Sequence, residues 1–135
     1  MSIVADPAID LEHPSPEPKP LARVYGEPVQ DGSTRFLVDR LWPRGIKKED
    51  LPVDGWLKEV APTDELRHWF GHAPARWSEF RSRYQAELDA NPAAWQPILA
   101  AARKGPVTLL FGARDEEHNQ AVVLRDYLAP KLKHQ

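Results

Sequence analysis

The sequence predicts an α/β fold, with a small mixed or mostly parallel sheet of about three strands, four to five flanking helices and a single layered core. Three observations carry this expectation. Val107 to Phe111 is an unbroken apolar run, long enough for one strand and too short for a helix. The run breaks at Gly112, passes a polar knot of Arg114, Asp115, His118 and Asn119, and resumes with Val122, Val123, Tyr127 and Leu128 at helical spacing. Two β-prone segments near the N-terminus are separated from that run by a long helical stretch, which favours a parallel crossover. A fully apolar strand that feeds a polar turn and then a helix marks a buried strand of an α/β sheet, with its chemistry at the carboxyl end.

Taken in order, residues 1–20 hold five prolines, four acids (Asp6, Asp10, Glu12, Glu17) and one base, Lys19. Such a segment buries too little apolar surface to offset its ordering entropy, so a disordered acidic arm is expected over 1–20 and a single α/β domain over 21–135. Leu21 to Tyr25 reads as a first strand, stopped by Gly26 and Pro28, and Thr34 to Asp39 as a second after the Asp31-Gly32 turn signal. The loop between them is short enough for a hairpin, which makes antiparallel pairing of these two strands an expectation. The second strand runs into Arg40 to Gly45, where Pro43 forbids further ladder bonding and Gly45 permits a sharp turn.

Asp54 is placed to cap a short helix burying Trp56, Leu57 and Val60, which Pro62 ends. Thr63 caps the next helix, with Asp64 and Glu65 in its first turn, Leu66, Trp69 and Phe70 as its apolar stripe, and Gly71 as its stop. Pro74 suits the start of a longer helix whose buried face is Trp77, Phe80, Tyr84 and Leu88. Asn91-Pro92 repeats the cap-then-proline start for a helix through Trp95, Ile98, Leu99 and Ala102, which Pro97 should bend or delay and Gly105 closes.

Composition bounds the function classes. The 135 residues carry a net charge of −2, of which −3 belongs to residues 1–20 and +1 to the remainder. A near-neutral body is not the footprint of a protein that coats nucleic acid without specificity. The absence of Cys excludes a disulfide scaffold, a thiolate metal site and a cysteine nucleophile. No segment approaches the roughly 20 apolar residues of a membrane span, and the N-terminus lacks the regions of a secretory signal. The cytoplasm is the expected location, with no membrane partner.

Parallel strands put Arg40 to Arg44 and Arg114 to Asn119 at the same edge of the sheet, where they are expected to meet in one crevice. Guanidinium groups match carboxylate and phosphate in geometry, so Arg40, Arg44 and Arg114, with Arg23 in reserve and a helix start beside them, would form an anion pocket. Trp42 either stacks on a base or lids the core. His118 is the natural proton carrier, oriented by Asp115 or Asp39. The structural alternative has Asp115 capping the final helix, Arg114 paired with Asp39, and His118 as a hydrogen-bonded structural residue. His68 and His72 have the i, i+4 spacing of a metal-binding pair, but Gly71 lies between them and no third ligand stands at the right spacing, so no metal is expected. No phosphate-loop or dinucleotide glycine motif is present, and no cofactor is expected.

Val38 to Gly45 (Val-Asp-Arg-Leu-Trp-Pro-Arg-Gly), Leu66 to His72 (Leu-Arg-His-Trp-Phe-Gly-His) with Arg76, Trp77 and Phe80, and Thr108 to Asp115 (Thr-Leu-Leu-Phe-Gly-Ala-Arg-Asp) with His118 and Asn119 resemble the YeaO-like proteins. This is a bacterial family catalogued as domain of unknown function 488. The resemblance covers about residues 21–129 in order, with the usual spacing. It implies a small, cysteine-free α/β protein of the bacterial cytoplasm and brings no established reaction. The leading expectation is a domain that binds a phosphate-bearing ligand, either a nucleotide-like metabolite or a nucleic-acid end. Asp39, Arg40, Trp42, Arg44, Arg114 and Asn119 would be its ligand-binding residues. The rival is a small hydrolase or transferase with His118 as acid and base and Asp115 as its orienter. A third reading is a protein-interaction module that uses the acidic arm.

Overall fold

A computed structural model describes residues 20–25 and 31–133 of the chain. The arm expected at 1–20 lies outside these residues, apart from Pro20. Among the described residues, four strands form one sheet: β1 (Leu21–Arg23), β2 (Thr34–Leu37), β3 (Gly55–Trp56) and β4 (Val107–Phe111). Their order is β1-β4-β2-β3 and every pairing is parallel. Leu21 lies beside Leu109 on one side of β4, and Phe36 lies beside Leu109 on the other.

The hairpin expectation fails, because β4 slots between β1 and β2. The reason lies in β4 itself. Leu109 and Phe111 face one side of the sheet and Leu110 the other, and all three are buried. A strand apolar on both faces needs cover on both faces and a neighbour on each side, which only the centre of the sheet supplies. The helix expected after Asp54 is also corrected. Gly55–Trp56 is a short edge strand, and Asp54 opens its ladder: its N–H donates to the Arg35 carbonyl at 2.8 Å, and its carboxylate accepts from the Arg35 N–H at 2.7 Å. Pro62 follows too closely for more than the single 3-10 turn at Lys58–Val60.

Four α-helices are described: α1 (Asp64–Phe70), α2 (Trp77–Ala90), α3 (Pro92–Ala102) and α4 (Gln120–Lys133). Thr63 caps α1, its hydroxyl accepting from the Leu66 N–H at 3.2 Å, and Gly71 ends it with φ 53°. Pro74 starts a 3-10 turn that leads into α2. Helix α3 runs through Pro97, so the proline does not delay its start.

The four helices bury Leu66, Phe70, Phe80, Tyr84, Leu88, Trp95, Ile98, Leu99, Val123, Leu124 and Leu128 against Phe36, Val38, Leu109 and Phe111 of the sheet. The opposite face, formed by Val24, Leu37 and Leu110, is covered by the segment from Trp42 to Trp56 instead of a helix. The single core expected from the sequence thus has two sides, one under helices and one under a folded loop. On the helix side, Tyr84 ties α2 to the turn before α1 at depth, because its buried hydroxyl donates to the Val60 carbonyl at 2.5 Å. Burial pushes that hydroxyl's pKa up, so it stays a donor. A Tyr84→Phe protein is therefore expected to lose about 1–2 kcal/mol in urea unfolding, with its denaturant slope unchanged.

Candidate functional site

Parallel pairing brings the carboxyl ends of β1, β2 and β4 to one edge of the sheet. A cleft of about 430 Å³ opens there, lined by the run from Asp39 to Arg44, by Gly112 and Ala113 after β4, and by Asn119 and Gln120 at the start of α4. Tyr25 closes the β1 side, while Arg67, Phe70 and His72 close it from α1 and the residues just after it.

The two distant chain segments do meet at this edge, and the residue that joins them is Asp39. Its Oδ2 accepts from the Gly112 N–H at 2.8 Å and its Oδ1 accepts from the Gln120 side-chain amide. Its backbone carbonyl accepts from the Trp56 indole at 2.8 Å. Burial raises the Asp39 carboxyl to about 6, and the bonds from Gly112 and Gln120 and the charge of Arg67 restrain the rise. Gly112 leaves room for this close approach, since a Cβ there would stand 3.0 Å from Oδ2.

The three arginines expected to converge do so only in part. Arg40 lines the cleft, and its guanidinium also holds the Ala61 carbonyl at 3.1 Å and the Pro62 carbonyl at 3.3 Å, with Asp64 at 3.9 Å. Arg44 lines the cleft and is exposed; among the described residues its guanidinium has no hydrogen bond or ion pair. Its carbonyl accepts from the Tyr25 hydroxyl at 3.0 Å, which ties this turn to β1. Arg114 is exposed and lies outside the cleft lining.

The reason is the turn after β4. Asp115 gathers it: one carboxylate oxygen accepts from the Glu117 and His118 N–H groups at 2.9 and 3.0 Å, and the other lies 2.9 Å from His118 Nδ1. These bonds, led by that from Glu117, hold the Asp115 carboxyl below the usual carboxylate range. His118 packs edge-on against Trp77, with centroids 5.1 Å apart, and is likewise outside the lining. Asp115 therefore organises the turn, and Asn119 caps α4. The Asn119 Oδ1 accepts from the Val122 N–H at 3.1 Å, and its amide donates to the Asp115 carbonyl at 2.9 Å. Trp42 packs on the sheet face, as the lid reading expected, and also lines the cleft, its indole donating to the Ile46 carbonyl at 2.6 Å. Arg23 is committed elsewhere, its Nε donating to the Ala113 carbonyl at 2.8 Å.

Arg67 and Gln120 line the cleft without having been singled out from the sequence, and His72 was weighed there only as half of a metal pair. Arg67 and His72 stand within the Leu66 to His72 segment that carries the family resemblance, and that was the available signal. His72 has φ 56°, a left-handed conformation that is uncommon without glycine. Gln120 carried no signal, since it reads as an ordinary first residue of a helix. Among the described residues no three His, Asp or Glu side chains are grouped to hold a metal ion.

This architecture defines a small parallel α/β protein with an arginine-rimmed cleft at the carboxyl edge of its sheet. The chain belongs to the DUF488 family: residues 20–135 match the family model described as the inactive DUF488-N3 subclade. It is 44% identical over 106 residues to "Uncharacterized protein YeaO" of Escherichia coli (strain K12), covering 78% of this chain and 92% of that protein. It is 43% identical over 108 residues to "Uncharacterized protein Rv3073c" of Mycobacterium tuberculosis, covering 80% of this chain and 91% of that one. No solved structure matches the chain.

The raised Asp39 carboxyl has a consequence for stability. Its folded value of about 6 lies above the reference 3.8, so the stability linked to it is complete below about pH 4 and is lost as pH rises through about 6. The difference corresponds to at most about 3 kcal/mol. Urea unfolding between pH 4 and 8 should show this decline in the wild type, and an Asp39→Asn protein should show a flatter profile over the same window.

Proposed function

We propose that the chain binds a phosphate-bearing ligand, a nucleotide-like metabolite or a nucleic-acid end, in the cleft at the carboxyl edge of the sheet. The observation that carries this reading is that Arg40, Arg44 and Arg67 line one cleft and that the Arg44 guanidinium is unpaired there among the described residues. Arg40 and Arg67 share Asp64, which offsets part of their charge, so Arg44 supplies the free fork for a phosphate. Trp42 and the exposed Leu41 and Tyr25 supply apolar surface for a planar group beside it.

A hydrolase or transferase built on His118 and Asp115 has less support, since neither residue lines the cleft. The matched family is moreover described as inactive, which favours binding over turnover. On this reading the protein works in the cytoplasm on a small anion or nucleic-acid end, with residues 21–135 as its folding unit. Among the described residues no helix is long and apolar enough to cross a membrane.

Calorimetric titration with methyl phosphate and adenosine 5′-monophosphate tests the reading. Saturable binding is expected, weakened about tenfold in an Arg44→Ala protein, equivalent to about 1.4 kcal/mol, and unchanged in Arg114→Ala. Absence of saturable binding, or full affinity in Arg44→Ala, refutes it.

A further inference from the structure

Resting on the phosphate reading of this cleft, we infer that its ligand carries hydroxyl donors beside the phosphate, as a phosphorylated sugar does, and that Asp39 accepts from them. A carboxylate in the wall weakens the hold on a bare phosphate, because like charges repel. Asp39 nonetheless lines it, between Arg40 and Gly112.

The bonding of Asp39 is incomplete in an informative way. An ionised carboxylate offers about four lone-pair sites. The protein fills one on each oxygen, from the Gly112 N–H and from the Gln120 amide. The cations that share the cleft wall hold other partners: Arg40 bonds the Ala61 and Pro62 carbonyls, and Arg67 lies 3.0 Å from Asp64. Asp39 forms no ion pair among the described residues, although Arg40, Arg44 and Arg67 line the same cleft. What remains is a carboxylate held at both oxygens, with acceptor capacity beyond those two bonds, in the wall of the cleft that Arg44 also lines.

The division of labour follows from this geometry. The run ending at Arg44 holds the phosphate, and Asp39 reads hydroxyls attached to it. A hydroxyl pair bonded to a carboxylate satisfies both partners, whereas an analogue without hydroxyls leaves the carboxylate desolvated and unpaired. The preference for the hydroxylated ligand is therefore set at Asp39, apart from the affinity for phosphate set at Arg44.

Ribose 5-phosphate and methyl phosphate separate the two contributions, since both present a phosphomonoester and only the first carries hydroxyls. Calorimetry on the wild type at pH 7.5 is expected to give ribose 5-phosphate an advantage of about tenfold. In Asp39→Asn that advantage should shrink to about threefold or less, through weaker ribose 5-phosphate, tighter methyl phosphate, or both. In Arg44→Ala both ligands should weaken together, leaving the ratio unchanged. Asn retains an acceptor for the Gly112 N–H, and circular dichroism checks that the variant is folded. Equal affinities in the wild type overturn the inference and leave the phosphate reading standing; this arm needs no variant. A preserved ratio in Asp39→Asn shows Asp39 to be a structural clamp only and overturns the inference. Binding of neither ligand overturns the inference and the reading beneath it.

Discussion

The constraint on which this structure depends is the satisfaction of one half-buried carboxylate, Asp39, at the place where the chain leaves β2. Through it β2 is fastened to the end of β4 by the Gly112 N–H and to the first turn of α4 by Gln120. Its own backbone carbonyl holds the indole of Trp56 on the edge strand. A single residue thereby joins segments 73 and 81 positions apart along the chain. Removing a carboxylate from water is unfavourable unless hydrogen bonds replace the lost hydration. The raised carboxyl value indicates that the replacement here is partial. The cleft wall is built on that incompletely satisfied group, which is why it is the chemically informative residue of the edge.

The two faces of the sheet are stabilised differently, and the difference positions the cleft. Helices cover Phe36, Val38, Leu109 and Phe111, whereas the segment from Trp42 to Trp56 covers Val24, Leu37 and Leu110. That segment works as a lid because its two indoles pack edge to face, 5.4 Å between centroids, and both find carbonyl partners. Lys58 lies over the Trp56 ring at 4.3 Å, covering it while keeping its charge in water. Pro43 is buried within this run and Gly45 turns it at φ 79°. The rigidity that brings Arg44 to the cleft therefore comes from packing on the sheet's second face.

The polar knot after β4 shows how local bonding overrides an expectation drawn from chemistry. Arg114, Asp115 and His118 are suitable residue types for a site, and they stand at the correct edge. Asp115, however, commits its oxygens to the Glu117 and His118 N–H groups and to the imidazole. Backbone N–H groups at a turn that leads into a helix must find acceptors, and a nearby aspartate supplies them with little loss of entropy. His118 is then held against Trp77, away from the cleft. The cationic wall is completed instead by Arg67, from a helix whose sequence reads as ordinary amphipathic structure.

By itself, the amino-acid sequence determined the α/β class, the buried strand at Val107 to Phe111, the Thr63 and Gly71 ends of α1, and the edge of the sheet where a cleft would lie. These are consequences of short-range rules: side-chain period, proline and glycine stereochemistry, and capping all act within a few residues. Tertiary structure alone decided that β4 would lie between β1 and β2, that Gly55–Trp56 would be a strand, and that Asp39 would meet Gly112 and Gln120. Those outcomes depend on which apolar faces find cover and which polar atoms find partners across long stretches of chain, and no local pattern encodes that competition.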